Sequence, residues 1–431
     1  MQHAEVTAVI LAGGVGKRFV PFKTDKTLFP FLGQSLLERT LGMVSKAGIQ
    51  SVIVAVNPYN QTWVQAAQTR FPELNITTQL QEKPQGMGDA LLTLRDLLPE
   101  QHIVVMNAGD MVTPDLLNNL LNTADGKETV LTGMYTPEYQ PLGYFVLDEN
   151  EKVVGIMEKP GADNMPSHLS NLVFHYFADA QGFVSLVADA QATATAESDD
   201  VYEQALDRLM KTQPVDVFRY EGPWQKLKFG YHVLDMIEFF LQPLSRDISA
   251  EAEIAPTAVV NGEVVVAPGA RILDGAIVQG PCYIGPNALI GNNALVRNSI
   301  VETGAVVGFG SEVVRSYVGP KCDLHHAYVG DSVLEEGVHF GFNAHTANYR
   351  FDHQPVPMKW VTGKTETPKN KLGALIAKNT EIGVNASLLP GVCIGTKAVI
   401  YPATVVFAAV PDHAVVKENR TQTIETQPTT D

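Results

Sequence analysis

Aliphatic side chains recur at every sixth position in the second half of this sequence. They occupy Ile254, Val260, Val266, Ile272, Val278, Ile284, Ile290 and Val296 and, later at the same spacing, Ile376, Ile382, Leu388, Ile394, Ile400 and Val406. A period of six fits neither an amphipathic helix, whose period is about 3.6, nor a simple hairpin sheet. It fits a triangular coil, in which each six-residue step forms one strand and one corner, and three steps complete a turn. The sequence therefore predicts a left-handed parallel β-helix of hexapeptide repeats over residues 254–415, with the aliphatic side chains pointing inward.

The segments around this repeat have different compositions. Glycines stand beside several of the aliphatic residues, where they suit tight corners, at Gly285, Gly291, Gly383 and Gly395. Residues 243–253 are polar and lack an apolar period, which predicts a linker. Residues 416–431 are polar as well and predict a tail, to which we assign no function.

The first half, residues 1–242, alternates β-rich runs with helical segments. The β-rich runs are 8–11, 51–56, 103–107 and 129–134. Residues 35–46 have the apolar spacing of a helix, and Ser35 and Glu38 form a capping-box pattern at its start. Strands that alternate with helices predict an α/β domain with a doubly wound, mostly parallel sheet.

Charge and cysteine content exclude several classes of protein. The formal net charge of −16 would repel nucleic-acid phosphates over most of the surface, so a nucleotide would need a local pocket. The 3 cysteines include no Cys-x-x-Cys pair, which argues against a disulfide scaffold or a zinc site and suits a reducing compartment. The apolar run 8–12 is too short to span a membrane, and no secretory signal opens the chain. We therefore expect a cytoplasmic protein that binds neither nucleic acid nor membrane.

A glycine-rich loop follows the first predicted strand. Its residues include Leu11, Ala12, Gly13, Gly14 and Gly16. The glycines let backbone N–H groups approach phosphate without a Cβ clash, and Arg18 adds a cation that can pair with phosphate bidentately. The loop lacks the GxxxxGK[ST] pattern of a P-loop, and Pro21 follows where a dinucleotide fingerprint would continue as a helix. Taken alone, the pattern is compatible with either a phosphate site or a structural turn.

The residues around this loop resemble a family signature. Leu-Ala-Gly-Gly-x-Gly-x-Arg-Phe-x-Pro, followed by Lys26 and Pro30, is similar to the signature of sugar-1-phosphate nucleotidylyltransferases. The resemblance implies that Gln81 and Gly86 contact the nucleobase and that Asp110 binds Mg²⁺. It also implies contacts to the sugar or its phosphate at Gly143, Glu158, Lys159 and Asn171.

The reaction of that family accounts for these residue types. An oxygen of a sugar 1-phosphate attacks the α-phosphorus of a nucleoside triphosphate, here UTP or dTTP as the first expectation, and pyrophosphate leaves. Both reactants are anions, so the site must supply cations and hold the groups in line. The resemblance assigns the triphosphate to Arg18 and Lys26 and the sugar phosphate to Lys159. It assigns a bridging magnesium ion to Asp110.

Two positions depart from the family pattern. Asp25 precedes Lys26 where a proline is usual, and Lys226, shortly after Trp224, stands where a second metal-binding aspartate is common. An ammonium group there would repel Mg²⁺. Three alternatives follow: the metal shifts onto phosphate oxygens, Lys226 itself binds phosphate, or the site is impaired. In the last case the chain would be a non-catalytic sensor or regulatory subunit for nucleotide sugars.

The second half resembles the acetyltransferase half of bifunctional enzymes that make UDP-N-acetylglucosamine, particularly the archaeal type. The similar stretches are 325–332, 346–352 and 371–394. The resemblance implies that His325, or alternatively His326, is the general base that takes a proton from a sugar amine. Further acetyl-transfer site residues are implied at Tyr328, Asn348 and Lys371.

The resemblance also implies acetyl-CoA as a cofactor and a homotrimer, because that family places its active sites between neighbouring coils. The insert 350–371 has five basic and two acidic residues, so it is either a clamp for phosphates or a solvated loop. The family's Gly-Ala-Gly-Thr is replaced here by Gly341-Phe-Asn-Ala-His-Thr346. The β-helix is therefore either a second catalytic half or a structural platform.

Overall fold

The computed structural model describes residues 3–195, 198 and 200–418, which form two compact units. Unit 1 comprises Met1–Lys17, Thr24–Pro30 and Gln34–Lys228. Unit 2 comprises Arg18–Lys23, Phe31–Gly33 and Phe229–Asp431. Of the predicted tail 416–431, residues 419–431 lie outside the described residues.

Helices and short strands alternate up to residue 228. The helices are α1 Leu36–Lys46, α2 Gln61–Ala67, α3 Met87–Thr93, α4 Leu116–Thr123, α5 Ala180–Thr193 and α6 Val201–Thr212. The strands are β1 Thr7–Leu11, β2 Pro30–Phe31, β3 Gln34–Ser35, β4 Ser51–Val56, β5 Asn75–Leu80, β6 Gln101–Asn107, β7 Asp110–Met111, β8 Thr129–Tyr135, β9 Gly143–Leu147, β10 Val153–Glu158, β11 Leu169–Asp179, β12 Asp216–Tyr220 and β13 Gln225–Lys226. These elements confirm the α/β fold predicted for this half.

The main sheet of unit 1 has the order β10-β9-β11-β6-β1-β4-β5, with β8 and β12 continuing from β11. The strands β6, β1, β4 and β5 are parallel, as predicted, and connect through α1 to α3. The pairs of β11 with β6 and with β8, and of β9 with β10, are antiparallel, so the sheet as a whole is mixed. A short connection such as that between β9 and β10 permits only antiparallel pairing.

Helix α1 shows how the sequence specifies one of these elements. The Ser35 hydroxyl accepts a hydrogen bond from the backbone N–H of Glu38 at 3.1 Å, which supplies an N-cap. Leu37, Leu41 and Val44 follow at helical spacing and are fully buried against the sheet. The predicted helix is therefore confirmed, with Ser35 as its cap.

After residue 228 the chain forms α7 His232–Leu241 and continues as a stack of very short strands. They are β14 Asp247–Ile248, β15 Glu253–Ile254, β16 Val259–Asn261, β17 Val264–Val266, β18 Arg271–Ile272, β19 Ile277–Gln279, β20 Cys282–Ile284, β21 Leu289–Ile290, β22 Leu295–Arg297, β23 Ile300–Val301, β24 Val306–Val307, β25 Glu312–Val314, β26 Tyr317–Val318, β27 Asp323–Leu324, β28 Tyr328–Gly330, β29 Val333–Leu334, β30 His339–Phe340, β31 His345–Thr346, β32 Met358–Trp360, β33 Gly363–Thr365, β34 Leu375–Ile376, β35 Glu381–Ile382, β36 Ser387–Leu388, β37 Cys393–Ile394, β38 Val399–Ile400, β39 Val405–Val406 and β40 Val415–Val416.

These strands form three parallel sheets, which the chain visits in turn. Within the described residues the sheets have 8, 9 and 8 strands, and each strand pairs with the strand three steps later except around the insert and at the C-terminal end. Ile272, for example, pairs with Ile290, and Val278 pairs with Val296. From Val266 onward, every aliphatic residue of the six-residue pattern is at most 3% exposed. The predicted hexapeptide β-helix is confirmed, and its core consists of these side chains.

The β-helix begins earlier than the sequence pattern suggested. Asp247–Ile248 pairs in parallel with Val265 and Val266, although it lies inside the segment 243–253 predicted as a linker. Ile248 stands six residues before Ile254 and packs against the β-helix core. The six-residue spacing therefore extends one step before Ile254, into a segment whose other residues are mostly polar.

The middle of the β-helix explains why the repeat seems to stop after Val296. The inward side chains continue at Val301, Val307, Val313, Val318, Leu324, Val329, Leu334 and Phe340, all with no exposed surface. Some of these steps are five residues long, which breaks the register without interrupting the stack. A 28-residue stretch between Thr346 and Leu375 then contains the hairpin β32–β33. The ladder closes across this stretch, because Val333 pairs with Leu375 and Thr346 with Leu388.

The corner glycines are required by close packing between coils. A Cβ on Gly285 would lie 2.8 Å from the carbonyl carbon of Glu302, and one on Gly395 would lie 2.4 Å from the backbone nitrogen of Asp412. Neither glycine has a positive φ, whereas Asn287, two residues after Gly285, has φ 56°. Asparagine tolerates this left-handed conformation better than most residues. Glycine therefore provides the space at both corners, and the residue two positions later provides the bend, Asn287 at the first and Lys397, with φ 54°, at the second.

Candidate active sites in the two units

A cavity of about 330 Å³ lies in unit 1 at the carboxyl ends of β1 and β6. This is the edge at which α/β sheets form their sites. The cavity brings together eight of the predicted site residues, which are Leu11, Lys26, Asp110, Gly143, Glu158, Lys159, Asn171 and Lys226. The predicted residues Ala12, Gly13, Gly14, Gly16, Arg18, Gln81 and Gly86 are not among those that line it.

Asp110 accepts hydrogen bonds from two neighbours that no sequence motif assigned to the site. The Asn107 amide donates to its Oδ2 at 3.1 Å, and the Trp224 indole N–H donates to its Oδ1 at 3.2 Å. Burial raises the pKa of Asp110, against the opposing effects of these bonds and of the charges on Lys26 and Lys226. Asn107 ends the buried strand β6, and a polar residue in that position is the signal by which the sequence could have identified it.

Lys226 lies directly opposite Asp110. The two residues are register partners in the antiparallel pair β7–β13, and the Lys226 ammonium lies 5.1 Å from the centre of the Trp224 ring. Burial lowers the pKa of Lys226, while Asp110 and Glu158 oppose that shift. Lys26 is close by, because a Cβ on Gly109 would lie 3.4 Å from its Nζ. The Asp110 carboxylate therefore faces two ammonium groups.

The glycine loop in unit 1 is anchored by buried amides. Asn57, which has no exposed surface, donates to the carbonyl oxygens of Ala12 and Gly14, each at 3.2 Å, and to Oδ2 of Asp25 at 2.7 Å. The other Asp25 oxygen caps the short helical turn Lys26–Leu28 by accepting from the Thr27 N–H at 2.8 Å. Asp25, a departure from the family pattern, thus ties the loop to the turn that presents Lys26.

Gln81 packs against the glycine loop. A Cβ on Gly13 would lie 2.0 Å from its Oε1, so any larger residue there would displace the Gln81 side chain. The Gln81 amide donates to Asp89 Oδ2 at 2.5 Å and to the Gly86 carbonyl at 3.4 Å. Three predicted nucleotide-binding residues, Gly13, Gln81 and Gly86, are therefore neighbours. Arg18 is exposed and belongs to the segment Arg18–Lys23 of unit 2.

Glu158 and Lys159 also line the cavity. Their side chains form an ion pair of 3.1 Å, and a Cβ on Gly143 would lie 3.0 Å from Oε2 of Glu158. Lys159 has φ 47°, a strained conformation for a residue with a side chain. The β9–β10 hairpin, in which Gly143 pairs with Glu158, holds these groups together.

The Asn171 side chain is oriented by a buried chain of hydrogen bonds. Burial lowers the pKa of His175 to about 3, so its ring is neutral and has one N–H. Because Oδ1 of Asn171 can only accept, the Nε2–H of His175 donates to it, at 2.9 Å. Nδ1 then accepts from the Tyr202 hydroxyl, also at 2.9 Å. This arrangement leaves the NH₂ group of Asn171 available on the cavity side, and the sequence contained no motif for either His175 or Tyr202.

Unit 2 brings two of the four predicted acetyl-transfer residues together. The Asn348 amide lies 3.4 Å from the Tyr328 hydroxyl and donates to Asp331 Oδ2 at 2.5 Å. Arg315 holds Asp331 bidentately, with N···O distances of 2.6 and 2.7 Å. Lys371 is exposed and lines a cavity of about 450 Å³ with Arg315 and Asp331. Asp331 stands in the Tyr-Val-Gly-Asp pattern, whereas Arg315 had no sequence signal.

His325 and His326 lie at the corner before β28. His325 is exposed, and its ring is T-shaped on Phe342 with centroids 5.7 Å apart. His326 stacks on Phe342 at 5.0 Å, and its Nδ1 is 3.0 Å from the Phe309 carbonyl oxygen. His326 is therefore engaged in packing, whereas His325 presents its ring to solvent. The structure shows no hydrogen bond between either histidine and Tyr328 among the described residues.

The insert and the coil residues beside it form a groove. A cavity of about 470 Å³ is lined by Tyr349, Arg350, Phe351, Lys359 and Leu389, among others. Phe351 is 99% exposed, and Arg350 is paired with Asp352. Two of the five basic residues of the insert thus line an apolar groove.

No group of three or more His, Cys, Asp or Glu residues suited to a metal ion occurs in the described part of the chain. Asp110 offers one carboxylate, and Mg²⁺ is commonly held by one or two carboxylates together with substrate phosphates. The donor set therefore fits a metal that arrives with its nucleotide. None of the described helices has the length and apolarity to cross a membrane.

Comparison with known proteins gives relatives over almost the whole chain. The chain is 28% identical over 411 residues to a bifunctional sugar-1-phosphate nucleotidylyltransferase/acetyltransferase of Sulfurisphaera tokodaii, covering 93% of this chain and 96% of the relative. It is 27% identical over 398 residues to the bifunctional protein GlmU of Methanocaldococcus jannaschii, covering 90% and 92%. An uncharacterized acetyltransferase of Escherichia coli, YaiX, is 34% identical over 169 residues, which are 37% of this chain and 71% of that protein.

A family model described as nucleotidyl transferase matches residues 7–224. The match contains every element that lines the cavity with Asp110, apart from the last residues of the Trp224–Lys228 segment. It spans just over half of the 431 residues. The protein belongs to the nucleotidyl transferase family.

Proposed function

We propose that the chain is a bifunctional enzyme. Unit 1 transfers a nucleotidyl group from a nucleoside triphosphate, UTP or dTTP first, to a sugar 1-phosphate and releases pyrophosphate. Unit 2 transfers an acetyl group from acetyl-CoA to an amino-sugar phosphate. The observation that supports the first activity is the cavity itself, which combines the half-buried carboxylate of Asp110 with the ammonium groups of Lys26, Lys159 and Lys226. The names of two relatives that span at least 90% of this chain support the pairing of the two activities.

The reaction requires positioning more than proton transfer. The sugar phosphate is already ionised, so no side chain needs to act as its base, and the site must align two anions. Lys26 holds the triphosphate beside the glycine loop, and Lys159, paired with Glu158, holds the sugar phosphate. The oriented NH₂ group of Asn171 donates to the sugar.

Asp110 would hold Mg²⁺ when the metal is bound, and the ion would neutralise charge that develops on the phosphates. Lys226 stands opposite this carboxylate, so the second metal-binding group of the family is replaced here by a cation. We assign Lys226 to direct contact with phosphate. In this assignment the Lys226 ammonium neutralises part of the phosphate charge directly. In the family pattern, a second carboxylate would instead bind the metal ion that does so.

The pair of Asp110 and Lys226 also favours an alternative function, a non-catalytic nucleotide-sugar sensor, because a lysine beside the carboxylate could impair the metal site. A panel of nucleoside triphosphates against sugar 1-phosphates, with pyrophosphate release as the readout, separates the two functions. The enzyme releases pyrophosphate with at least one pair, and Asp110→Asn serves as the inactive control. If calorimetry shows that the wild-type chain binds a nucleotide sugar, and no pair of substrates gives pyrophosphate, the chain is a sensor.

Acetyl transfer is supported by the joined side chains of Tyr328, Asn348 and Asp331. His325 is assigned as the general base because its exposed ring can receive a substrate amine. Thiol release from acetyl-CoA with glucosamine 1-phosphate and galactosamine 1-phosphate tests this half. The absence of free coenzyme A with every amino-sugar phosphate would leave the β-helix as a platform.

We also propose a homotrimer in the cytoplasm, formed through the β-helix. Its flat sheets offer repeated surfaces, and closed symmetry is the usual arrangement for such an oligomer. Sedimentation equilibrium should give about three times 46.8 kDa. A monomer at micromolar concentration would remove this proposal.

A further inference from the structure

Glu203 is a buried carboxylate that none of the sequence motifs includes. It lies in the first turns of α6, and only 8% of the residue is exposed. It lines the same cavity as Lys159 and Asn171. Its Oε2 is buried and has no hydrogen-bond partner among the described residues. Such a group costs free energy in the folded state, and native proteins keep few of them without a reason.

The surroundings hold Glu203 firmly in that position. Its neighbour Tyr202 is 1% exposed and donates to His175, which in turn orients Asn171. Helix α6 also packs against β10, the strand that ends at Glu158. One turn of helix therefore supports the Asn171 amide and places the Glu203 carboxyl beside the same cavity.

The charges around Glu203 indicate which ligand group it can meet. Glu158 and Asp200 act on it with negative charge, and Lys159 acts with positive charge. A second cavity, of about 280 Å³, is also lined by Glu203 and has as its other charged residues Glu158, Asp200, Asp207, Arg208 and Lys211. With the sugar phosphate assigned to Lys159, the negative charges of Glu158 and Asp200 make an anion an unfavourable partner for Glu203 itself, so the group that meets Glu203 is an uncharged donor on the sugar.

We propose that Glu203 is a specificity-determining residue of the sugar subsite, and that its carboxyl group, which lines the cavity, forms a hydrogen bond with a hydroxyl group of the sugar ring. This inference rests on the proposed nucleotidyl transfer to a sugar 1-phosphate. It adds to that function a residue that discriminates between sugars by one hydroxyl position.

The protonation of Glu203 agrees with a hydroxyl partner. Burial, and next the charge of Glu158, raise its pKa to about 8, against the effect of Lys159. At pH 7 the carboxyl is therefore mostly protonated, and it can donate and accept as a hydroxyl group does. Above pH 8 it gains a negative charge close to the site that takes the sugar phosphate. The KM for the sugar phosphate should then rise.

The test uses pyrophosphate release by the full chain with the sugar 1-phosphate varied and the triphosphate saturating. Glu203→Leu should raise the KM for the sugar phosphate about tenfold and leave kcat and the KM for the triphosphate within twofold. Glu203→Gln keeps a donor and an acceptor, so its KM at pH 7 should stay near that of the wild type. Between pH 7 and pH 9 the wild-type KM should rise and the Gln KM should stay flat. Glu221→Gln, at an exposed position, is the matched control.

Deoxy-sugar 1-phosphates identify the hydroxyl group. One deoxy analogue should lose about tenfold in kcat/KM with the wild type and show no further loss with Glu203→Leu. Unchanged KM values in the Leu variant, or equal losses with every deoxy analogue, would overturn the inference.

Failure of the proposed function gives a different result, because the wild type would then release no pyrophosphate with any sugar phosphate. In that case calorimetric binding of the same sugar phosphates to wild type and Glu203→Leu decides the role of Glu203, with equal affinities counting against it. Thermal unfolding guards against a merely structural effect. Glu203→Gln should melt at a higher temperature than the wild type at pH 9, because it removes a buried charge, and a lower one would indicate a structural role.

Discussion

The two units build their candidate sites in opposite ways. In unit 1 the site residues come from the ends of separate elements, such as Lys26 after the glycine loop, Asp110 in β7 and Glu203 in α6. In the β-helix, Tyr328 and Asn348 come from neighbouring coils that repeat one geometry. The first site is buried among charges, and the second lies on the outside of an aliphatic core.

This difference has an energetic consequence. Burial raises the pKa values of Asp110 and Glu203, which means that the folded unit 1 holds carboxyl groups at a cost in stability. When folding raises the pKa of a carboxyl group, the free energy of unfolding is highest at low pH, where the group is protonated in both states. It falls as the pH rises from the pKa of the unfolded state to the pKa of the folded state. For Glu203 that decrease runs from about pH 4.5 to about pH 8.

The largest expected effect tests the independence of the two sites. His325→Ala should lower acetyl transfer by about 10²–10⁴-fold, the usual value of general-base assistance, with nucleotidyl transfer unchanged. Thiol release and pyrophosphate release from the same preparation measure both. His326→Ala is the matched variant, since its ring is stacked on Phe342. A loss confined to His326→Ala would reassign the base.

Asp110→Asn is the reciprocal test in unit 1. The change keeps the shape and removes the charge that faces Lys26 and Lys226, so pyrophosphate release should fall by about 10²–10³-fold. Acetyl transfer should be unaffected, and the melting temperature should not fall, because a buried carboxylate has been removed. Normal turnover would show that Asp110 is not the magnesium ligand.

A smaller effect is expected from Lys26→Ala. Loss of one charge-assisted contact should weaken triphosphate affinity by about 1.5–3 kcal/mol, measured by calorimetry. Lys46→Ala, whose side chain is 64% exposed, is the control for a general change in charge. Equal affinities in the two variants would exclude the glycine-loop site.

The smallest effect concerns Lys226→Met. Part of the lysine charge is already matched by Asp110, so the KM for the sugar phosphate should rise only about fivefold. Steady-state kinetics against Lys152→Met, at an exposed position, measure the difference. A faster enzyme would mean that Lys226 hinders the metal at Asp110 and contacts no phosphate.

The sequence predicted the β-helix well because one spacing repeats in it many times. It failed where the evidence was a single residue, as at Ile248, or where five-residue steps such as Val296 to Val301 broke the register. The site residues of unit 1 were predicted from sequence motifs, and eight of these residues line one cavity. Tyr202 and Glu203 could not be predicted, because long-range packing brings α6 to the site. His175 lies only four residues after Asn171 in the same strand, but no motif marks it.

The stretch between Thr346 and Leu375 leaves the ladder on both sides intact. Closing a loop whose ends are already fixed becomes costlier only slowly with length, by about 0.6 kcal/mol per doubling. Substitutions and insertions in this segment, including at the exposed Phe351 and its basic neighbours, can therefore accumulate without changes in the coils on either side of it. Related proteins with this β-helix would differ first in the ligand that this segment recognises and only later in the fold of the coils.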